Sequence, residues 1–238
     1  MILLRSLLFN IFFYVGTAVL VIGASPLLIL PRRVASVLGI VWGRYTAFLL
    51  WLFCGITHTI RGDRRLDDQV IYAAKHQSAW ETMHMCWRLN GPVIVLKKEL
   101  SYIPFAGWAM MRSGAIAVDR SAGMKALKTL KSDAITARDR GRSIQIYPQG
   151  TRVAPGAQAE YQIGVYTIYE ATGLPVVPIA LNSGECWGPR AFKKTPGVID
   201  VSFLPEIEPG LSRKAFMKRL EEAIETEMGN LTPAQQKR

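Results

Sequence analysis

Residues 73–82 read AAKHQSAWET and set a histidine, a serine and a glutamate within six positions. A neutral imidazole can take a proton near neutral pH. A carboxylate bonded to its other nitrogen fixes the tautomer and leaves the first nitrogen free to act as a base. His76 and Glu81 are candidates for that pair. On an ideal helix, five residues turn through about 500°, so the two would not share a face. They meet only if His76 sits in a loop ahead of a helix and Glu81 in its first turn. Ser78-Ala79-Trp80-Glu81 has the form of a capping box, which places them that way. The same residues also describe a plain helix start beside an ordinary histidine. Glu81-Thr82-Met83-His84 has the Glu-x-x-His form of di-iron bundles, but those need a second such pair and further carboxylates, which the sequence lacks. No metal is expected. Serine-hydrolase elbow, dinucleotide fingerprint and zinc spacing are all missing.

Three further clusters carry polar groups beside apolar runs. LKKELSYIPFAGWAMMRSGAIAVDR, residues 96–120, has Lys97 near one end, Arg120 at the other and an oily centre. That arrangement suits an amphiphile with an anionic head; a buried connector with solvated ends is the plainer reading. IYPQGTRVAPG, residues 146–156, offers Gly150 for a tight turn with exposed backbone N–H groups and adds Thr151 and Arg152 as donors. It makes a plausible anion nest, though not a Walker loop, and it could equally be a strand-ending turn. LPVVPIALNSGECWG, residues 174–188, has two prolines that demote it toward an edge or irregular strand, and no obvious catalytic group.

These clusters need a scaffold. Short β-branched runs at 69–74, 92–97, 114–119, 143–148, 175–181 and 198–204 alternate with helix-like segments near 78–89, 121–139 and 160–171, and an amphipathic helix precedes a polar tail. The pattern predicts an α/β domain with a largely parallel sheet flanked by helices. Sites in such sheets lie at the carboxyl ends of strands, where the polar clusters fall.

Ahead of this domain, residues 6–30 contain no charge, longer than the roughly 18–20 residues that mark a spanning candidate. PRR at 31–33 reads as a polar turn. A second apolar stretch, residues 34–60, carries Arg44 near its middle, where spanning costs about 2.5–3.5 kcal/mol. An arginine snorkelling beside Trp42, Tyr45 and Trp51 suits an interfacial helix. Residues 1–60 are therefore expected to form a membrane-attaching helical hairpin on one leaflet, with two spanning helices as the competing reading. Residues 61–238 are expected to form the α/β domain. The chain is 50% hydrophobic with a formal charge of +11, which points to anionic lipid or acidic partners. Its basic residues are not interleaved with exposed aromatics as in RNA-binding modules, so nucleic acid is not expected as a partner. Three scattered cysteines fit a reducing, cytosol-facing environment.

In order, the four clusters resemble the glycerolipid acyltransferase family, in particular its bacterial 1-acylglycerol-3-phosphate acyltransferases. HQSAWE matches the family's His-x-x-x-x-Asp at His76, with Glu81 for the aspartate. The second motif matches at Lys97, Glu99, Leu100, Pro104, Gly107, Gly114 and Arg120. YPQGTR matches Phe-Pro-Glu-Gly-Thr-Arg at Pro148, Gly150, Thr151 and Arg152, with Tyr147 and Gln149 departing. LPVVPIAL matches the apolar Val-Pro stretch. The likeness covers roughly residues 60–205. It implies an acyltransferase of phospholipid biosynthesis, with membrane lipid as surroundings and lysophosphatidic acid as acceptor. The donor would be an acyl carrier protein or coenzyme A thioester used as co-substrate, with no further cofactor. It implies His76 as base, Glu81 as its orienting carboxylate, and Lys97, Arg120, Gly150, Thr151 and Arg152 on the phosphate. The implied location is the cytosolic face of a bacterial inner membrane. Another lysolipid as acceptor, such as a lyso-ornithine lipid, or a non-catalytic lipid-binding homologue, are the alternatives.

Overall fold

The computed structural model describes residues 1–29, 32–231 and 233–234. Two long helices open the chain, α1 (Ile2–Gly23) and α2 (Arg32–Leu49), with a tighter turn at Ser25–Ile29 between them and a wider one, Leu50–Cys54, after α2. Pro31, expected in the polar turn, lies outside the described residues, and Arg32 already begins α2. The rest is a seven-stranded sheet with helices on its faces. Its strands are β1 (Ile56–Arg61), β2 (Ile71–Ala74), β3 (Val93–Lys97), β4 (Ile116–Val118), β5 (Ile144–Ile146), β6 (Val176–Leu181) and β7 (Gly197–Phe203). Between them lie α3 (Trp80–Arg88), α4 (Ala106–Ser113), α5 (Met124–Asp139), α6 (Gly164–Thr172) and the short α7 (Ser183–Cys186), and α8 (Arg213–Asn230) follows.

The strand order is β1-β7-β6-β2-β5-β3-β4. β6, β2, β5, β3 and β4 run parallel, whereas β7 is antiparallel to β6 and carries β1 parallel to itself. The central strand β2 is buried at every position, as a run covered on both faces must be. Its period of two divides the core. Tyr72 and Ala74 face a cluster with Phe9, Leu50, Trp80 and Met85, so the helical pair and the sheet share one core. Ile71 and Ala73 face the other side, against Leu130, Ile168 and Phe216.

Three expectations are corrected. β1 starts at Ile56, so the boundary expected at residue 60 falls inside a strand of the sheet. α4 lies within residues 96–120, where no helix was expected and the plainer reading was a buried connector with solvated ends. β6 is central and wholly buried, although Pro178 lies within it. The proline is tolerated because the partner on one side changes there. Val176 bridges Ile207, β7 pairs only from Ile179 onward, and the Pro178 carbonyl still accepts from Leu204 N–H at 3.0 Å.

α1 and α2 are tied by Trp42 Nε1–H to Thr17 Oγ1 (3.0 Å) and Tyr45 O–H to the Phe12 carbonyl (2.7 Å). A methyl group at Gly16 would overlap the Tyr45 hydroxyl. Both helices are long and apolar enough to cross a membrane, and Leu4, Leu7, Ile11, Val15 and Val19 of α1 are exposed. The first half of α1 packs onto the sheet side. Phe9 is fully buried edge-on to Trp187. Ser6 Oγ accepts from Lys194 N–H at 2.9 Å, and the buried Lys194 ammonium donates to Asn10 at 2.7 Å.

A second histidine cluster, apart from His76, joins β1 to α3. His58 and His84 meet edge to face at 4.1 Å, and His84 stacks on Trp80 at 4.1 Å. Arg88 donates to Nε2 of both, at 2.5 Å to His58 and 3.4 Å to His84. Acceptance requires unprotonated rings. Burial first, then Arg88, pushes His58 down from 6.5 to about 4. Burial, then His58 and Arg88, pushes His84 down as well. The unfolded chain therefore binds more protons than the folded one between about pH 6.5 and about pH 4. This stability is full above the window and is lost as pH falls through it. We expect the melting temperature in detergent to drop across that range and His84→Gln to reduce the slope. A flat profile would mean that the rings accept protons in the folded state.

Candidate active site

Five parallel strands deliver the site at their carboxyl ends. Running across the sheet, β6 leads to Ser183, β2 to His76, β5 to the 147–152 turn, β3 ends on Lys97, and β4 is followed by Arg120. Adjacent strands are about 4.8 Å apart, so these groups form a row roughly 20 Å long.

His76 lies in the loop between β2 and α3, and Glu81 in the first turn of α3, as the spacing requires. His76 Nδ1 and Glu81 Oε1 are 2.8 Å apart. The same oxygen accepts from the backbone N–H groups of Gln77 (2.7 Å) and Ser78 (2.6 Å). Glu81 Oε2 accepts from the Ser183 hydroxyl at 2.7 Å. A fully buried carboxylate with four donors is satisfied as an anion. The capping box forms in modified shape. Glu81 bonds Ser78 N–H as expected, but Ser78 Oγ accepts from Trp80 N–H at 3.1 Å, one residue earlier than in the standard motif.

The imidazole lies flat on Tyr147, with centroids 4.0 Å apart and planes at 19°. Its backbone is pinned on both sides: His76 N–H donates to Gln149 Oε1 at 3.0 Å, and Val153 N–H donates to the His76 carbonyl at 2.8 Å. Burial, and then the Glu81 charge, push the Tyr147 phenol far above its ordinary range, so the stacking ring stays neutral. With Nδ1 held by Glu81, Nε2 is the nitrogen left for chemistry. Glu81 and His84 belong to different clusters, so the Glu-x-x-His spacing does not converge on one point.

The cationic residues assemble less tightly. Arg120, Thr151 and Arg152 are exposed. Arg120 reaches over the turn after β5: a Cβ built on Gly150 would lie 3.8 Å from its Cζ. Lys97 is exposed and pairs with Glu99 at 3.0 Å, a contact between two solvated side chains that a bound phosphate can replace. Gly150 departs from expectation. Its N–H donates to the Tyr147 carbonyl at 2.9 Å, closing the turn, and so is not free for an anion. Its φ of +68° is the reason for glycine there.

Ser183 was not singled out by sequence reasoning. The available signal was position: it follows directly on a buried β-branched run, where α/β sites gather. Gly184 supports it. A Cβ there would come within 2.9 Å of both Gln77 and Pro155, and Gly184 N–H donates to Gln77 Oε1 at 3.1 Å. The short α7 is thereby clamped to the histidine loop.

The family model described as Acyltransferase matches residues 56–182. The chain is similar to the 1-acyl-sn-glycerol-3-phosphate acyltransferase of Pseudomonas aeruginosa, 33% identical over 82% of this chain and 78% of that protein. It is also similar to the enzyme of the same name from Limnanthes alba, 28% identical over 78% of this chain and 67% of that protein. Among solved structures, the 1-acyl-sn-glycerophosphate acyltransferase of Thermotoga maritima shares the fold, with a TM-score of 0.77 at 20% identity over 98% of this chain and 99% of that one.

Proposed function

The chain belongs to the acyltransferase family, and from that premise we propose that it moves a fatty acyl group from a thioester to the free hydroxyl of lysophosphatidic acid, giving phosphatidic acid. The observation that carries this reading is the buried Glu81 holding His76 by Nδ1 at 2.8 Å. His76 Nε2 takes the hydroxyl proton as that oxygen attacks the thioester carbonyl. The carbon–sulfur bond then breaks, and the proton passes to the departing thiolate. Glu81 stabilises the transient imidazolium. No covalent acyl-enzyme and no further cofactor are needed; the donor is a co-substrate, carried by acyl carrier protein or coenzyme A. Arg152, Arg120 and Lys97 hold the phosphate, with Thr151 beside them. The names of the two sequence relatives support this acceptor over another lysolipid.

The membrane reading follows from α1. Its start engages the α/β part through Ser6 and Asn10, and the turn that follows it meets α4, where Arg112 donates to the Ile29 carbonyl at 3.3 Å. A helix held to the domain near both ends lies along it and is not free to cross a hydrocarbon core of about 30 Å. The hairpin therefore sits in one leaflet. Three free cysteines and a thioester donor fit the cytosolic face of a bacterial inner membrane.

Two assays test the proposal. Purified protein should form phosphatidic acid from lysophosphatidic acid when carrier-protein and coenzyme A donors are supplied in parallel. Product from a different lysolipid only would overturn the acceptor. Arg152→Ala should raise KM for lysophosphatidic acid by about tenfold to a hundredfold, the worth of a charged hydrogen-bonded contact, with little change for the donor. Equal effects on both substrates would contradict the role given to Arg152.

A further inference from the structure

We propose that the segment from Lys98 to Ser113, the turn after β3 together with α4, is a second membrane-contact element that seats in an anionic leaflet beside the hairpin. Leu100, Tyr102, Ile103, Trp108 and Met111 are all exposed, Tyr102 at 65% and Trp108 at 54%. A chain rarely leaves so many large apolar groups to water along one short segment unless a partner covers them. Tyrosine and tryptophan are the residues that suit a boundary between water and lipid. The segment is one wedge, because Gly107 lets α4 press on the preceding turn. A Cβ at Gly107 would collide with the carbonyls of Ser101 and Leu100.

Continuity and charge select lipid as the partner. α4 packs against α2 and against the turn at Ser25–Ile29. Arg112 donates to the Ile29 carbonyl at 3.3 Å, and Ile29 is itself 84% exposed. The apolar surface of the wedge thus adjoins that of the hairpin. Residues 97–128 carry six cations against two acids, the sign that anionic headgroups attract. The wedge begins directly after Lys97 at the end of β3, and its first residue, Lys98, pairs at 3.1 Å with Asp119, the neighbour of Arg120. Seating it in the leaflet brings those cations to the depth of lipid phosphates. The proposal rests on the membrane association of the hairpin and not on the acyl-transfer reading.

The test uses the full chain in vesicles of phosphatidylglycerol and phosphatidylcholine, the latter brominated on its chains either near the headgroup or near the methyl end. Fluorescence of the wild type minus that of Trp108→Phe isolates Trp108 from the other five tryptophans. The expected result is strong quenching of the Trp108 share by the shallow bromines and weaker quenching by the deep ones. A Trp108 share insensitive to both, while the remaining tryptophans are quenched, would overturn the proposal. So would a Trp108 share that responds only to an added acidic carrier protein, which would assign the wedge to a protein partner. None of these readings requires turnover, so a failed proposal leaves the reaction untouched, and a failed reaction leaves the proposal standing.

Discussion

His76→Ala leaves a folded protein with acyl transfer reduced by roughly 10²–10⁴-fold, the contribution of a positioned base. The fold survives because the substitution strands nothing. Glu81 keeps Gln77 N–H, Ser78 N–H and the Ser183 hydroxyl as donors. The imidazole stacks on the outer side of Tyr147 with 13% of its side chain exposed, so its removal opens the cleft and leaves no sealed void. The decisive measurement pairs single-turnover acyl transfer with thermal melting. Near-normal turnover by a folded variant would remove His76 from the chemistry.

The second large effect separates a catalytic carboxylate from a cap. Glu81→Gln keeps an acceptor oxygen for the two backbone donors and for Nδ1, and it turns an amide toward Ser183, whose hydroxyl can rotate to accept. The helix start is therefore retained, and melting should change little. What is lost is the negative charge facing the imidazolium. Turnover should fall by about tenfold or more with little change in either KM, since a hydrogen bond to a charged group is worth about 1.5–3 kcal/mol. Ser183→Ala, which removes one donor and no charge, should show a smaller fall of the same kind. If Glu81→Gln lowers melting sharply and its folded fraction turns over normally, Glu81 is a cap and nothing more.

Much of this site is written locally. The five-residue step from His76 to Glu81 could be solved from helix geometry, because the capping form of Ser78–Glu81 said where the helix begins. The parallel strands were readable because buried β-branched runs are short and bounded by turn residues. What stayed hidden depends on distance or on masking. Ser183 lies 102 residues from the carboxylate it serves, and no local pattern announces such a contact. The Gly150 N–H looked available because its partner is set by the φ of the turn and not by residue type. β1 alternates as Ile-Thr-His-Thr-Ile, yet it sits at the tail of the long apolar stretch 34–60 and read as part of the hairpin. α4 was concealed by Pro104 and Gly107. Proline and glycine ordinarily interrupt helices, while the structure uses Pro104 just ahead of the helix and Gly107 for close packing inside it.

Among the described residues, strand β1 has β7 as its neighbour and nothing beyond it. Thr59 bonds Asp200 across a separation of 141 residues. On the ribosome this sets an order of events. The two apolar helices and β1 are made first, joined through Gly55, and the strand must wait for nearly the whole remaining chain before it has a partner. Chains halted before residue 197 should be cut by trypsin after Arg61, and chains with β7 clear of the ribosome should resist; equal resistance at both lengths would refute the order. The two apolar helices are thus complete while the sheet is still open, so the part of the chain proposed to attach to the membrane is in place before the active site is assembled.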